Sequence, residues 1–159
     1  RQFHHARFVD HLHEVLTETG MEPSALNLEI TESVVLGSAE DAISKMTELK
    51  QLGISFSIDD FGTGYSSLGY LKRLPVDELK IDRSFIQDIP HDTSNMAIVE
   101  AVLAMAGHLN FSVTAEGVET RQQLEFLRRH RCAFYQGYLA SKPLPADAVE
   151  RYLQRHQRD

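Results

Sequence analysis

The sequence predicts an α/β protein whose parallel sheet curves in the manner of a (β/α) barrel. Three observations predict it. Strand-like and helix-like segments alternate along the chain, the strands read apolar on one face and polar on the other, and the polar faces carry charge near their carboxyl ends. Alternating strands and helices joined by right-handed crossovers give a parallel sheet with helices packed outside. A doubly wound sheet would bury both faces, and its strands would be continuous apolar runs. A barrel accounts for the two-faced strands: the apolar faces meet the helices and the polar faces line a lumen that becomes a site at the carboxyl ends.

Each element has a local reason. Phe8, His11, Leu12, Val15 and Leu16 share one face of a helix over 8–19, which Gly20 stops. A strand follows over 26–31. Ser38 is a good N-cap for a helix to about Leu52, ended by Gly53. A second strand covers 54–59, a glycine-bearing loop 60–67, and a short helix reaches Leu71. The third strand is 78–82. Residues 94–110 are apolar nearly all round, which predicts a well-buried helix. The fourth strand is 111–115, Thr120 caps a helix to about His130, the last strand is 134–139, and Pro145 opens a last helix to His156.

Parity places the charge. Asn27, Glu29 and Thr31 share one face, as do Ser55, Ser57 and Asp59, then Glu78, Lys80 and Asp82, then Ser112, Thr114 and Glu116. Glu29, Asp59, Lys80, Glu116 and Gln136 would converge from five successive strands.

Composition narrows the function classes. The 159 residues suit one domain. Lys and Arg number 16 against 23 Asp and Glu, a net charge of −7, which argues against a partner such as a DNA or RNA polymer. One cysteine, Cys132, excludes an internal disulfide framework and fits a reducing, cytoplasmic compartment. The longest apolar stretch, 97–107, is broken by Glu100, so no membrane contact is expected from this segment. Arg1 stands where an initiator methionine would, and the chain reads as a piece of a longer protein.

Asp59-Asp60 ends a strand and precedes Phe61-Gly62-Thr63-Gly64. Adjacent carboxylates repel unless a cation lies between them, and hard oxygen ligands suit Mg²⁺ or Mn²⁺. The dipeptide alone favours an acidic turn with a Gly-x-Gly bend; Glu29 and Glu116 on lumen faces shift the reading to metal. Glu32 lies past its strand end, either a surface charge or a hydrogen-bond partner of a neighbouring loop. Lys80 points into the lumen and needs an anionic partner. It either pairs with Asp59 or holds a phosphate or a water nucleophile. Glu116 is a metal ligand or a general base on water. Glu119 anchors a loop or caps the helix near Thr120. Gln136 is a neutral ligand or a hydrogen-bonder beside the close-approach glycine Gly137. His4, His5, His11 and His13 read as a half-solvated helix face, Arg128, Arg129 and Arg131 as cations at a helix end, and Cys132 as core.

Together these stretches resemble the EAL-domain family of cyclic di-GMP phosphodiesterases. The matching segments are Glu29-Ile30-Thr31-Glu32, Asp59-Asp60-Phe61-Gly62-Thr63-Gly64-Tyr65-Ser66-Ser67-Leu68, Leu79-Lys80-Ile81-Asp82, Ala115-Glu116-Gly117-Val118-Glu119 and Gln136-Gly137-Tyr138-Leu139. The resemblance implies a TIM-like barrel with two Mg²⁺ or Mn²⁺ ions, hydrolysing cyclic di-GMP to linear pGpG in bacterial second-messenger signalling. It implies that Glu29, Asp59 and Asp60 are metal ligands, that Lys80 holds the nucleophilic water and that Glu116 is the base or a further metal-site carboxylate. Glu32 would anchor the loop from Asp59 to Ser67, Glu119 and Gln136 would support the site, and Phe61 to Gly64 would lie near substrate. The family's Glu-Ala-Leu and Asn-x-Ser segments are absent from the chain. Residues 1–159 are therefore expected to be the C-terminal part of a single barrel domain, about its last five strand–helix units, with further metal ligands upstream. An attached upstream regulatory domain is expected, and a homodimer is left open. The alternative is a non-hydrolysing module of the same kind that binds cyclic di-GMP or a protein partner.

Overall fold

The computed structural model describes Phe3, residues 5–32, Val34, residues 39–64 and residues 68–156. Five parallel strands, β1 (Asn27–Thr31), β2 (Ser55–Phe61), β3 (Glu78–Ile81), β4 (Ser112–Glu116) and β5 (Phe134–Gln136), pair in chain order. Between and around them run α1 (Phe8–Thr19), α2 (Ala39–Gln51), α3 (Leu68–Leu71), α4 (Arg83–Ile86), α5 (Thr93–Leu109), α6 (Arg121–Arg129) and α7 (Ala146–His156). The sheet order never reverses, as it would at the switch point of a doubly wound fold. Among the described residues, β1 and β5 each pair on one side only, so the sheet is an arc of a barrel with two edges.

The caps explain most element boundaries. Gly20 closes α1 in the left-handed conformation. Asp92 accepts from the backbone amides of Ser94 and Asn95, which starts α5 at Thr93. Thr120 and Gln123 form a reciprocal capping box at the start of α6. The expected cap Ser38 lies outside the described residues.

Four expectations are corrected. Strand β2 runs on to Phe61, because a bulge between Ile58 and Phe61 carries it past Asp59. Asp82 leaves β3 and caps α4, a short helix not foreseen, accepting from the Ser84 amide at 3.0 Å. Strand β5 stops at Gln136: the Val118 amide donates to the Gln136 carbonyl at 3.1 Å and the Leu139 amide to the Val118 carbonyl at 3.0 Å, so the chain turns. Helix α5 is not buried all round. Val99, Val102 and Ala106 face the sheet, while Ile98 is exposed. An outer helix of one sheet layer has only one side to bury.

The core lies between the sheet and its helices. Met46 and Leu49 of α2 meet Phe56 and Ile58 of β2, Leu79 and Ile81 of β3 and Val99 of α5, all fully or nearly fully buried. Each such side chain stabilises the fold by about 1.5–3 kcal/mol through area removed from water. The opposite face is polar and hydrogen-bonded. Asn27 donates to Ser57 Oγ at 3.3 Å and to Glu78 Oε2 at 3.5 Å, and the Thr114 hydroxyl donates to Glu78. This layer forms a floor under the carboxyl ends of the strands, and buried polar groups are tolerated there because they pair. Truncating Phe56 to Ala is expected to cost about 3–5 kcal/mol, read as a lower urea midpoint with unchanged slope. Ile98→Ala, on the exposed face, is expected to stay within about 0.5 kcal/mol.

Candidate functional site

The site is built where the polar strand faces reach their carboxyl ends. Register aligns Glu29 with Ser57, Thr31 with Asp59, Lys80 with Thr114 and Glu116 with Gln136. Lys80 rises through the middle. Its Nζ stands 2.6 Å from Glu116 Oε1, 2.9 Å from Glu29 Oε1 and 3.4 Å from Asp59 Oδ1. The Lys80 side chain is only 8% exposed, Asp59 26%, Glu116 19% and Glu29 50%. Burial by itself would lower the Lys80 pKa. The hydrogen bonds with Glu116 and Glu29 and the charges of Glu116 and Asp59 outweigh it, and the ammonium is held well above its ordinary value.

Asp60 takes a left-handed backbone conformation, φ 54°, inside the β2 bulge. That is uncommon for a residue with a side chain, though aspartate tolerates it best. It breaks the alternation that would send Asp60 to the helix side, and its side chain is exposed. Partial burial, then the charges of Asp59 and Asp82, push its carboxyl pKa up, while Lys80 opposes them.

The loop after β2 turns at once. The Thr63 amide and hydroxyl both donate to the Asp60 carbonyl, at 3.3 and 2.9 Å. The Glu32 carboxylate accepts from the Gly62 amide at 3.4 Å, and a side chain at Gly64 would run into it. Gly62 itself lies against the Phe85 ring of α4. Phe61 is buried in the core, so its side chain is not in the mouth. Tyr65, Ser66 and Ser67 lie outside the described residues.

The loop after β4 is packed as tightly. Gly117, at φ 70°, lies under the stem of Arg83, and a β-carbon there would overlap it. Arg83 Nη2 stands 3.6 Å from Glu119 Oε1. At Gly137 a β-carbon would fall inside the backbone of Val118, which is why β5 can close against this loop only with glycine. Gln136 shares the polar face with Glu116 through the register, and its side chain is exposed.

The structure thus gathers Glu29, Asp59, Lys80 and Glu116 into one cluster, seats Glu32 on the Gly62–Gly64 loop, and leaves Glu119 paired with Arg83 at the rim. Sequence reasoning missed Arg83, Phe85 and Gln123. All three belong to α4 or contact it, and the short helix was not visible as a pattern. His5, His11 and His13 are outside the cluster and His11 pairs with Glu14; His4 lies outside the described residues. Cys132 donates its thiol to the Phe134 carbonyl, and burial pushes its pKa up.

Asp59 Oδ1 is buried and has no hydrogen-bond partner, although it stands near Lys80. With only the Lys80 ammonium at 3.4 Å to compensate it, this oxygen has capacity left for a further cation. Glu29, Asp59, Asp60 and Glu116 have one ammonium between them, and their oxygens suit Mg²⁺ or Mn²⁺. Among the described residues no three His, Cys, Asp or Glu side chains stand close enough to hold an ion by themselves. The residues present therefore fit part of a metal site.

The EAL domain family matches residues 1–143, and the chain belongs to that family. It is 49% identical over 154 residues to the cyclic di-GMP phosphodiesterase NbdA of Pseudomonas aeruginosa, covering 97% of this chain and 20% of that relative. It thus spans about a fifth of the curated relative's length. A solved structure of the MucR phosphodiesterase of P. aeruginosa in complex with cyclic di-GMP is 49% identical, with a TM-score of 0.89 over 93% of this chain and 60% of that one. Klebsiella pneumoniae BlrP1, in a complex with manganese and cyclic di-GMP, is 33% identical, with a TM-score of 0.80 over 89% of this chain and 36% of that one. EAL-domain structures are TIM barrels, and the five-stranded arc is part of one.

Two outcomes follow from this geometry. Lys80→Met leaves three carboxylates facing one another. It is expected to destabilise the fold by about 2 kcal/mol, less than the 3–5 of a fully buried pair because Glu29 reaches solvent, and chemical denaturation measures it. The Cys132 thiol, held protonated, is expected to react with iodoacetamide several-fold more slowly than an exposed cysteine at about pH 8.

Proposed function

We propose that the parent domain of this chain hydrolyses cyclic di-GMP to linear pGpG, with Mg²⁺ or Mn²⁺ as the required ions. The observation that carries the reading is the Lys80 ammonium held among Glu29, Asp59 and Glu116, with the buried Asp59 Oδ1 ion-paired to it but without a hydrogen bond. Nucleotide and manganese complexes of relatives that share this fold support the same chemistry.

In this reading Glu29, Asp59 and Asp60 hold divalent ions together with ligands from upstream in the same domain. When bound, the ions lower the pKa of a coordinated water and neutralise the phosphate. Lys80 orients the water by donating to it. Glu116 takes its proton. The water oxygen forms a new bond to phosphorus as one phosphorus–oxygen bond to a ribose 3′ position breaks, and the leaving oxygen is protonated to a hydroxyl. Glu32, Gly62, Thr63 and Gly64 shape the loop beside the substrate, with Phe61 as its core anchor, and Glu119 and Gln136 support the β4 and β5 ends. Residues 1–159 form the C-terminal part of one barrel domain, attached to upstream regulatory domains and working in the cytoplasm. Among the described residues no helix is long and apolar enough to cross a membrane.

The deciding experiment is a hydrolysis assay with Mg²⁺ or Mn²⁺ on this chain and on a form extended upstream. Linear product is expected from the extended form, and Glu116→Gln is expected to lower its turnover at least about 100-fold. A separate Mn²⁺-binding titration is expected to show weaker binding for Asp59→Asn. Nucleotide bound without product would favour the non-hydrolysing module instead.

A further inference from the structure

Gln123 is polar, 3% exposed, and belongs to none of the motifs that point to the chemistry. Its amide is fully used. Oε1 accepts from the backbone amides of Glu119 at 2.8 Å and Thr120 at 2.9 Å. Nε2 donates to the carbonyls of Ile86 at 3.1 Å and Gln87 at 3.2 Å. That is two lone pairs and two hydrogens, the whole capacity of a carboxamide.

The two halves do different work. The acceptor half completes the capping box of α6, and a glutamate would serve there equally. The donor half reaches two carbonyls at the end of α4, that of Gln87 and that of Ile86, which also accepts from the Ile89 amide at 3.1 Å. Only an amide does both. The segments it joins are the two that flank the cluster: α4 follows directly from Lys80 and Asp82, and Glu119 and Thr120 follow directly from Glu116.

Helix α4 also reaches the other side of the mouth. Its Phe85 ring lies on Gly62, in the loop after Asp59 and Asp60, while its Arg83 stem lies on Gly117 and its guanidinium meets Glu119. An element of four residues cannot hold its place by its own hydrogen bonds. We infer that Gln123 is a positioning residue, fixing α4 against the loop after β4 and so setting how Glu116, Lys80 and the Gly62 loop stand relative to one another. Its consequence for turnover rests on the phosphodiesterase reading above.

Gln123→Glu separates the two halves, since it keeps the cap and replaces the donors with an acceptor that faces two carbonyls. Native-state hydrogen exchange on the chain is expected to show the Gln87 and Ile89 amides exchanging at least about ten-fold faster, with Glu119 and Thr120 still protected. Equal acceleration on both sides, or none, would overturn the inference. In the extended domain, at a temperature well below melting, kcat per folded molecule is expected to fall about ten-fold with KM within two-fold, because misplacement of reacting groups acts on the chemical step. A lower melting temperature with unchanged kcat would reduce Gln123 to a stability residue and overturn its positioning role. If the unsubstituted domain itself hydrolyses nothing, the phosphodiesterase reading fails, and the exchange pattern alone decides whether Gln123 couples the two segments.

Discussion

Everything at the mouth of this sheet depends on one ammonium group being buried among carboxylates. A lysine with 8% exposure is costly unless anions surround it, and Glu29, Asp59 and Glu116 do so from three other strands. The converse also holds. Carboxylates brought so close on a lumen face would repel each other without it. The strand register is therefore constrained twice, by the apolar packing on the helix side and by charge on the lumen side. A slip of one residue would turn Lys80 into the helix layer and leave the acids unpaired.

The layer beneath shows why the charge collects only at one end. Asn27, Ser57, Glu78 and Thr114 satisfy one another by hydrogen bonds. One layer higher, the polar groups exceed their protein partners, and Asp59 Oδ1 is left without a hydrogen bond. The contrast between a closed floor and an open top separates structural polarity from chemical potential in the same strands.

Much of this was legible in the sequence, for identifiable reasons. Period-two alternation in Glu29, Asp59, Lys80 and Glu116 is a local pattern, so parity alone predicted that they meet. The caps at Thr120 and the stop at Gly20 are local as well. What was not legible arises from packing between distant segments. The bulge that carries β2 on to Phe61 and turns Asp60 away from the helix side has no signature that separates it from a plain strand end. Helix α4 is too short to show periodicity, so Arg83 and Phe85 carried no signal; Gln123 falls in a local Thr-x-x-Gln capping pattern, but its bonds to the end of α4 arise only from packing. Residues 94–110 misled in the other direction: their apolar composition suggested full burial, but a helix on the outside of one sheet covers only the face that Val99, Val102 and Ala106 present. Gly117 and Gly137 were visible as glycines, yet the atoms that require them, in Arg83 and Val118, are visible only in three dimensions.

The contacts of α4 carry a mechanical consequence. Phe85 bears on one rim of the mouth and Arg83 on the other, and both side chains hang from the same single turn of helix. The spacing between the two rims is therefore set by one turn of backbone, since the loop after β2 and the loop after β4 are gauged against side chains two residues apart.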